Sequence, residues 1–372
     1  MRYYFAPLEG ITGCRFRRAH CRFFPGIDAY YTPFVVATYT NKLKSREKRD
    51  VLPENNEGVP TVPQILTNQP GEFLHCARFL AEFGYTEVNL NLGCPVGTVT
   101  AKGKGSGMLR TPEVLDRFLD KIYEGAEKIP VTEADGRSHP LRISVKTRLG
   151  WEKPSEFETL LAIYRRYPLE KLIIHARTRQ ELYRGKPELE TFRAAYDSTE
   201  NVPEDAQESA LKDARKDAGE SYRCRTQQQG THDAGTDRRS RLHLCYNGDI
   251  RTGRDLDFLE KAFPELDSVM IGRGLLSDPG MITERVSGTR PGVRTIREFH
   301  DTLYGAYDEQ FHDDRIRINC MKELWTFLGE SFHDEGHYVK AIHKAKSRAE
   351  YESAVRMLFA NCARQPLKDG LC

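Results

Sequence analysis

Short apolar runs rich in β-formers recur along most of this chain, separated by longer amphipathic stretches. The runs fall at residues 3–6, 29–32, 61–66, 87–91, 142–147, 172–175, 244–247 and 268–271. Between them, residues 72–83, 112–126, 155–167 and 254–262 carry apolar side chains at helical spacing. The stretch at 112–126 is preceded by Thr111, a capping hydroxyl, and begins with Pro112, which suits the first helical position. A strand that returns to its sheet through a helix lies parallel to its neighbour. Eight such units predict an α/β architecture with a parallel sheet. A (β/α)8 TIM barrel fits the pattern, and so does a doubly wound open sheet.

The rhythm fails twice. Residues 198–241 have mixed charge and few large apolar side chains, as in Gln227-Gln228-Gln229-Gly230 and Asp237-Arg238-Arg239-Ser240-Arg241. They predict a flexible insertion between the sixth and seventh strand units, with a solvated helix over 206–218. After about Thr289 the strands stop, and helical periodicity runs through 295–309, 314–328, 336–345 and 347–362. Two domains are expected, an α/β unit over 1–288 and an all-helical unit over 289–372. In the second, Lys340, His343, Lys344, Lys346 and Arg348 gather in one short segment, either as a solvated helix face or as a surface for RNA phosphates.

Bulk composition narrows the setting. The formal net charge is +2, so any nucleic-acid surface must come from local clustering. The nine cysteines are odd in number and contain no C-x-x-C pair. That argues against a disulfide framework and against a metal site, and for a reducing, cytoplasmic environment. The apolar run at the N-terminus is too short for a signal peptide, and no apolar stretch approaches membrane-spanning length. No membrane partner is expected.

Chemistry concentrates at Asn89-Leu90-Asn91-Leu92-Gly93-Cys94-Pro95, followed by Lys102-Gly103-Lys104-Gly105-Ser106-Gly107. A strand runs into Gly-Cys-Pro and then into a loop rich in glycine and lysine. In a barrel this loop leaves the C-terminal rim, where active sites are built. Glycines let backbone approach a ligand, and lysines suit a phosphate-bearing one. The spacing is neither a dinucleotide fingerprint nor a P-loop. A lone cysteine is commonly inert packing. Cys94, between Gly and Pro at a strand end, reads better as reactive.

These segments resemble the tRNA-dihydrouridine synthases, whose hallmark is N-x-G-C-P followed by a G-x-G-S-type loop. The resemblance continues in order along residues 1–285, each motif at the end of a predicted strand. Ala6-Pro7-Leu8-Glu9-Gly10-Ile11-Thr12 resembles the opening A-P-M-x-G-x-T. Gln64, Val145-Lys146-Thr147-Arg148-Leu149-Gly150-Trp151 and His175-Ala176-Arg177-Thr178, with Tyr183-Arg184-Gly185, are similar to further family segments. So are Asn247-Gly248-Asp249-Ile250 and Ile271-Gly272-Arg273-Gly274. The helical tail is similar to the family's RNA-binding domain. Two features depart from the pattern: Thr98 stands where a lysine is common, and the 198–241 insertion is longer than expected.

The resemblance implies a TIM barrel carrying FMN on its rim and a helical RNA-binding domain. Ala6, Pro7 and Leu8 would pack beside the flavin, and Gln64 and Lys146 would bond its polar edge. Asn91 would orient flavin or uracil, with His175 nearby. Asn247, Gly248, Asp249, Gly272 and Arg273 would hold the phosphate. Arg177 would meet flavin or uracil, and Lys102, Lys104, Lys340 and Lys344 would meet RNA. The implied reaction reduces C5=C6 of a uridine in tRNA, with NADPH as reductant and Cys94 as proton donor. From the residues alone, Lys146 could be a snorkelling lysine, His175 a core histidine and Asn247-Gly248-Asp249 only a turn. A small-molecule FMN-barrel reductase, a dihydrouridine synthase acting on ribosomal RNA and a non-catalytic RNA-binding protein are the alternative readings.

Overall fold

Glu87-Val88-Asn89-Leu90-Asn91-Leu92 alternates polar and apolar residues, so one side of this strand is apolar and the other is not. In the computed structural model, which describes residues 1–40, 42–200 and 242–371, the apolar side faces outward under helices. The polar side faces into a cylinder of parallel strands. The strands are β1 (Arg2–Phe5), β2 (Ala29–Tyr31, continued at Val35–Val36) and β3 (Thr61–Val62 and Gln64–Leu66, interrupted at Pro63). They continue as β4 (Glu87–Leu92), β5 (Arg142–Arg148), β6 (Leu172–His175), β7 (Leu244–Asn247) and β8 (Ser268–Ile271).

Each strand pairs in parallel with the next, and β8 returns to β1. Closure runs through β3. Its first half pairs with β2 at Tyr30↔Thr61, and its second half pairs with both Val35–Val36 and β4. Pro63 has no N–H to give, but its carbonyl accepts from Asn89 N at 2.8 Å. The sheet is thus an eight-stranded barrel, and the open-sheet alternative is excluded.

Two separate cores follow from the alternation. Tyr4, Ala6, Tyr31, Ile173, Cys245 and Met270 form an apolar cluster inside the cylinder. Val88, Leu90, Leu92, Ile143, Val145, Leu172, Ile174 and Val269 belong to the larger core beneath the helices. Those helices include α1 (Cys14–Phe23), α2 (Pro70–Glu82), α3 (Pro112–Ala126), α4 (Phe157–Tyr164), α5 (Leu189–Glu200), α6 (Gly253–Ala262) and α7 (Arg273–Ser277). Pro112 sits at the start of α3 as expected, although Thr111 makes no side-chain cap bond. Residues 198–200, expected in the insertion, belong to α5, which runs to Glu200. The remainder of that expectation, including a helix over 206–218, lies outside the described residues.

From Val293 onward four further helices follow: α8 (Val293–Gln310), α9 (Asp314–Leu328), α10 (Tyr338–Lys344) and α11 (Arg348–Asn361). At their centre Tyr351 Oη accepts from Trp325 Nε1 at 3.0 Å and bonds His300 Nε2 at 2.8 Å. They also pack on the barrel. Phe299 of α8 meets Phe16 and Phe24 edge-on, with ring centroids 5.8 and 5.2 Å away, and the apolar core runs unbroken between the two parts. Burying a ring of this size contributes about 1.5–3 kcal/mol. The chain then returns to the barrel, where Gly370 N and Leu371 N donate to Asp255 in the first turn of α6.

Candidate active site at the barrel rim

Side chains two residues apart on a strand share a face. Lys146 and Arg148 on β5 therefore point the same way, into the cylinder, at its C-terminal end. The registers Asn91↔Lys146, Arg148↔His175 and His175↔Asn247 set the expected residues side by side around the mouth. Beyond β8, a Cβ on Gly272 would lie 3.4 Å from Ala6 Cβ and 3.6 Å from Leu8 Cδ1, so these three meet across the β1–β8 seam. Pro7 and Leu8 are half-buried, leaving apolar surface there.

Cys94 follows β4 and is half-buried. Its loop is held at three points. Asn91 Oδ1 accepts from Gly93 N at 3.1 Å and Cys94 N at 2.9 Å. The Cys94 carbonyl accepts from Ser106 N at 3.1 Å and Ser106 Oγ at 2.9 Å. The Gly93 carbonyl accepts from Arg148 Nε at 2.8 Å. Gly105 has φ +58°, and a Cβ there would sit 2.9 Å from the Cys94 carbonyl oxygen, so the returning loop needs glycine to close on Cys94. Burial pushes the Cys94 thiol up from its ordinary value, against the opposing pull of the Val96 backbone, Arg148 and Lys146. The thiol is protonated at neutral pH, as a proton donor requires.

The mouth is rich in cations. Lys146 makes no hydrogen bond or ion pair among the described residues, and burial, reinforced by Arg148, lowers its pKa to about 8. Burial and then Arg148, Lys146, Arg177 and Arg273 hold His175 well below its ordinary value. The ring is neutral, and its Nε2 accepts from Arg177 Nη1 at 3.4 Å. Asp249, at φ +39° beside Gly248, ion-pairs with both Arg177 and Arg273. Asn247 Nδ2 is occupied by the Met270 carbonyl at 2.7 Å. A half-buried, unpartnered ammonium beside a forked guanidinium suits a large anion with a phosphate, and the apolar Ala6–Leu8 surface suits a flat ring.

Several expected residues are committed within the protein. Gln64 Nε2 donates to Asn89 Oδ1 at 2.8 Å, and its Oε1 accepts from Asn91 Nδ2 at 2.7 Å. Arg177 is 0% exposed and donates to the Arg184 and Gly185 carbonyls as well as to Asp249. It does not present itself to RNA. It fixes His175 and Asp249 instead. Lys104 is tied to Glu72 of α2 at 3.8 Å, whereas Lys102, Lys340 and Lys344 are exposed.

Arg148 and Tyr183 were not singled out as site residues. Arg148 Nη1 donates to the Thr178 and Leu182 carbonyls at 2.8 Å, binding the Cys94 loop to the loop after β6. Burial lowers its pKa to about 10, which leaves it charged at neutral pH. Tyr183 is 57% exposed and lies over the mouth. Its ring centroid is 5.4 Å from the Arg148 guanidinium, 5.3 Å from that of Arg273 and 5.9 Å from the His175 ring. The available signal for Arg148 was its period-two spacing from Lys146.

The family model for dihydrouridine synthase (Dus) matches residues 4–202 of the 372. The chain belongs to the dihydrouridine synthase family. The matched span carries Cys94, Lys146, His175 and Arg177, while Asn247–Arg273 and the helical tail lie beyond it. A probable tRNA-dihydrouridine synthase of Staphylococcus aureus (strain COL) is 27% identical over 317 residues, covering 84% of this chain and 79% of that protein. tRNA-dihydrouridine synthase B of Pseudomonas aeruginosa is 28% identical over 190 residues, covering 51% of this chain and 52% of that protein. Among solved structures, morphinone reductase in complex with tetrahydroNAD aligns at TM-score 0.41 and 11% identity, over 78% of this chain and 88% of that one. No helix among the described residues is long and apolar enough to cross a membrane.

Proposed function

We infer that the protein reduces the C5=C6 bond of uridine in tRNA to dihydrouridine, with FMN as cofactor and NADPH as reductant. The observation that carries this reading is a protonated, half-buried thiol at a cation-rich barrel mouth, in a chain of the dihydrouridine synthase family. The residues fit FMN. Lys146 is an unpartnered, half-buried cation for a ring that gains negative charge, Ala6, Pro7 and Leu8 offer it an apolar face, and Gly248, Asp249, Gly272 and Arg273 would hold the phosphate.

Bound FMN, held by Lys146 and the Gly248–Arg273 loops, would supply the hydride for C6 of the uracil, with NADPH as the reductant. The charge left on the uracil needs a proton at C5, and the Cys94 thiol supplies it. Asn91, Ser106 and Arg148 keep Cys94 in place by holding its backbone. Neutral His175 can accept or donate a hydrogen bond without adding charge. The base must leave its stack to enter the mouth. Lys340 and Lys344, with Lys102 at the rim, are exposed and would meet RNA phosphates. The helices from Val293 onward form the RNA-binding part.

The test uses the full chain, because cutting before α8 would expose Phe16 and Phe24. Purified protein should be yellow, release FMN on denaturation and form dihydrouridine in unmodified tRNA transcripts with NADPH. Mapping dihydrouridine in cellular RNA with and without the gene identifies the position. Protein that fails to bind FMN rejects the reading. Equal turnover of free uridine and tRNA would favour the small-molecule reductase.

A further inference from the structure

The amides that hold Cys94 continue downward through the barrel. Gly93 N and Cys94 N donate to Asn91 Oδ1, and Asn91 Nδ2 donates to Gln64 Oε1 at 2.7 Å. Gln64 Nε2 donates to Asn89 Oδ1 at 2.8 Å, and Asn89 Nδ2 to Ser144 Oγ at 2.9 Å. Ser144 Oγ donates to Glu87 Oε1 at 2.6 Å, and Lys171 Nζ closes the line on Glu87 Oε2 at 2.7 Å. Glu87, Asn89 and Asn91 lie on one face of β4, and the line falls roughly 13 Å from Asn91 to the floor. Asn89 and Ser144 are 0% exposed and Gln64 is 1%, so water does not substitute for these partners.

Both ends demand the same direction. Backbone N–H groups cannot accept, so Asn91 must turn its oxygen up and its NH2 down. That orientation propagates through Gln64 and Asn89 and leaves Ser144 with one proton to give. At the floor the Glu87 carboxylate, paired with Lys171, only accepts. Every link therefore points toward Glu87. A chain of this kind is cooperative, and reversing it would set the Asn91 NH2 against the Gly93 and Cys94 N–H groups.

We propose that Glu87 is a positioning residue for Cys94, acting from the barrel floor through Ser144, Asn89, Gln64 and Asn91. It touches neither substrate nor cofactor. The acceptor-only group at the floor takes the last proton and so stabilises the polarity that the Gly93 and Cys94 N–H groups demand, and the line sets the place of the thiol. The catalytic part of the test rests on the function proposed above, and the positional part does not.

The experiment compares Glu87→Gln, whose amide can also donate and so permits both directions, with Ser144→Ala, which cuts the line but keeps the Glu87–Lys171 pair. Cys245→Ala, a buried change inside the same cylinder but off the line, is the control. Cys94 alkylation by iodoacetamide is followed by mass spectrometry in folded protein. Both line variants should change its rate by about three- to tenfold, and Cys245→Ala by less than about twofold. On tRNA, kcat should fall by a similar factor, with KM and NADPH oxidation unchanged. An unchanged alkylation rate in a folded line variant overturns the proposal, and so does an equal change in the control. If Glu87→Gln does not fold, Ser144→Ala decides alone. Protein inactive on RNA would refute the proposed function while the alkylation rates still report on the line.

Discussion

The barrel mouth and the basic segment of the tail are both cation-rich, but they treat their cations differently. At the mouth, Arg148, Arg177 and Arg273 are each fixed by carbonyls, by the Asp249 carboxylate or by the Tyr183 ring, and only Lys146 lacks a hydrogen-bonding partner among the described residues. In the tail, Lys340 and Lys344 are exposed, and their ammonium groups have no partner among the described residues. Fixed charges in a buried site favour one geometry and cost no reorganisation during reaction. Free, solvated lysines favour any nearby phosphate and follow its position. On the proposed function the difference would separate chemistry from docking, and substitutions in the two places should fail in different ways.

The largest effect belongs to Cys94. Cys94→Ala should lower dihydrouridine formation by about 10²–10⁴-fold while flavin content and NADPH oxidation persist. Product mass spectrometry after single turnover measures it, and undiminished product formation would remove the thiol from the mechanism. Next comes Arg273→Ala, which takes away a forked cation and frees one oxygen of Asp249 toward the phosphate loop. Flavin affinity should drop about 10–100-fold by fluorescence titration, with RNA affinity unchanged.

A smaller effect tests the unpartnered cation itself. The folded pKa of Lys146, about 8, lies below its ordinary 10.5, so the unfolded chain binds more protons between these values. Stability of the flavin-free protein should therefore rise with pH across that window relative to Lys146→Met, by about 1–2 kcal/mol once solvent at the rim is counted. Urea unfolding at several pH values measures this. A flat difference would mean that Lys146 is not held in the cost of burial.

What the sequence could disclose tracks how local each cause is. Strands buried on both faces read as apolar or alternating runs of β-formers, and all eight barrel strands were legible. Barrel closure was not, because it depends on Tyr30 meeting Thr61 while Val35 meets Ile65 on either side of Pro63. The inward ring of Lys146, His175 and Asn247 was legible as strand-end motifs. The role of Arg148 was not, since its acceptors, the carbonyls of Gly93, Thr178 and Leu182, come from two loops that only the fold joins. Arg177 looked like a ligand contact for the same reason. Nothing local signals that Asp249 and two carbonyls enclose it.

The smallest effect should come from the tail, and its form matters more than its size. Lys340→Ala and Lys344→Ala together should raise KM for tRNA by only a few-fold near physiological salt and leave kcat and flavin binding untouched. Each phosphate contact removed should also flatten the salt dependence of RNA affinity by about one unit of log–log slope. Cys94→Ala, by contrast, should leave that slope unchanged. If the double lysine variant lowered kcat at saturating tRNA, the tail would be helping to place the flipped base, and the division between fixed rim and adaptable surface would fail at that point. If it changed neither KM nor slope, the basic segment would be a solvated helix face, and RNA docking would have to rest on Lys102 and its neighbours at the rim.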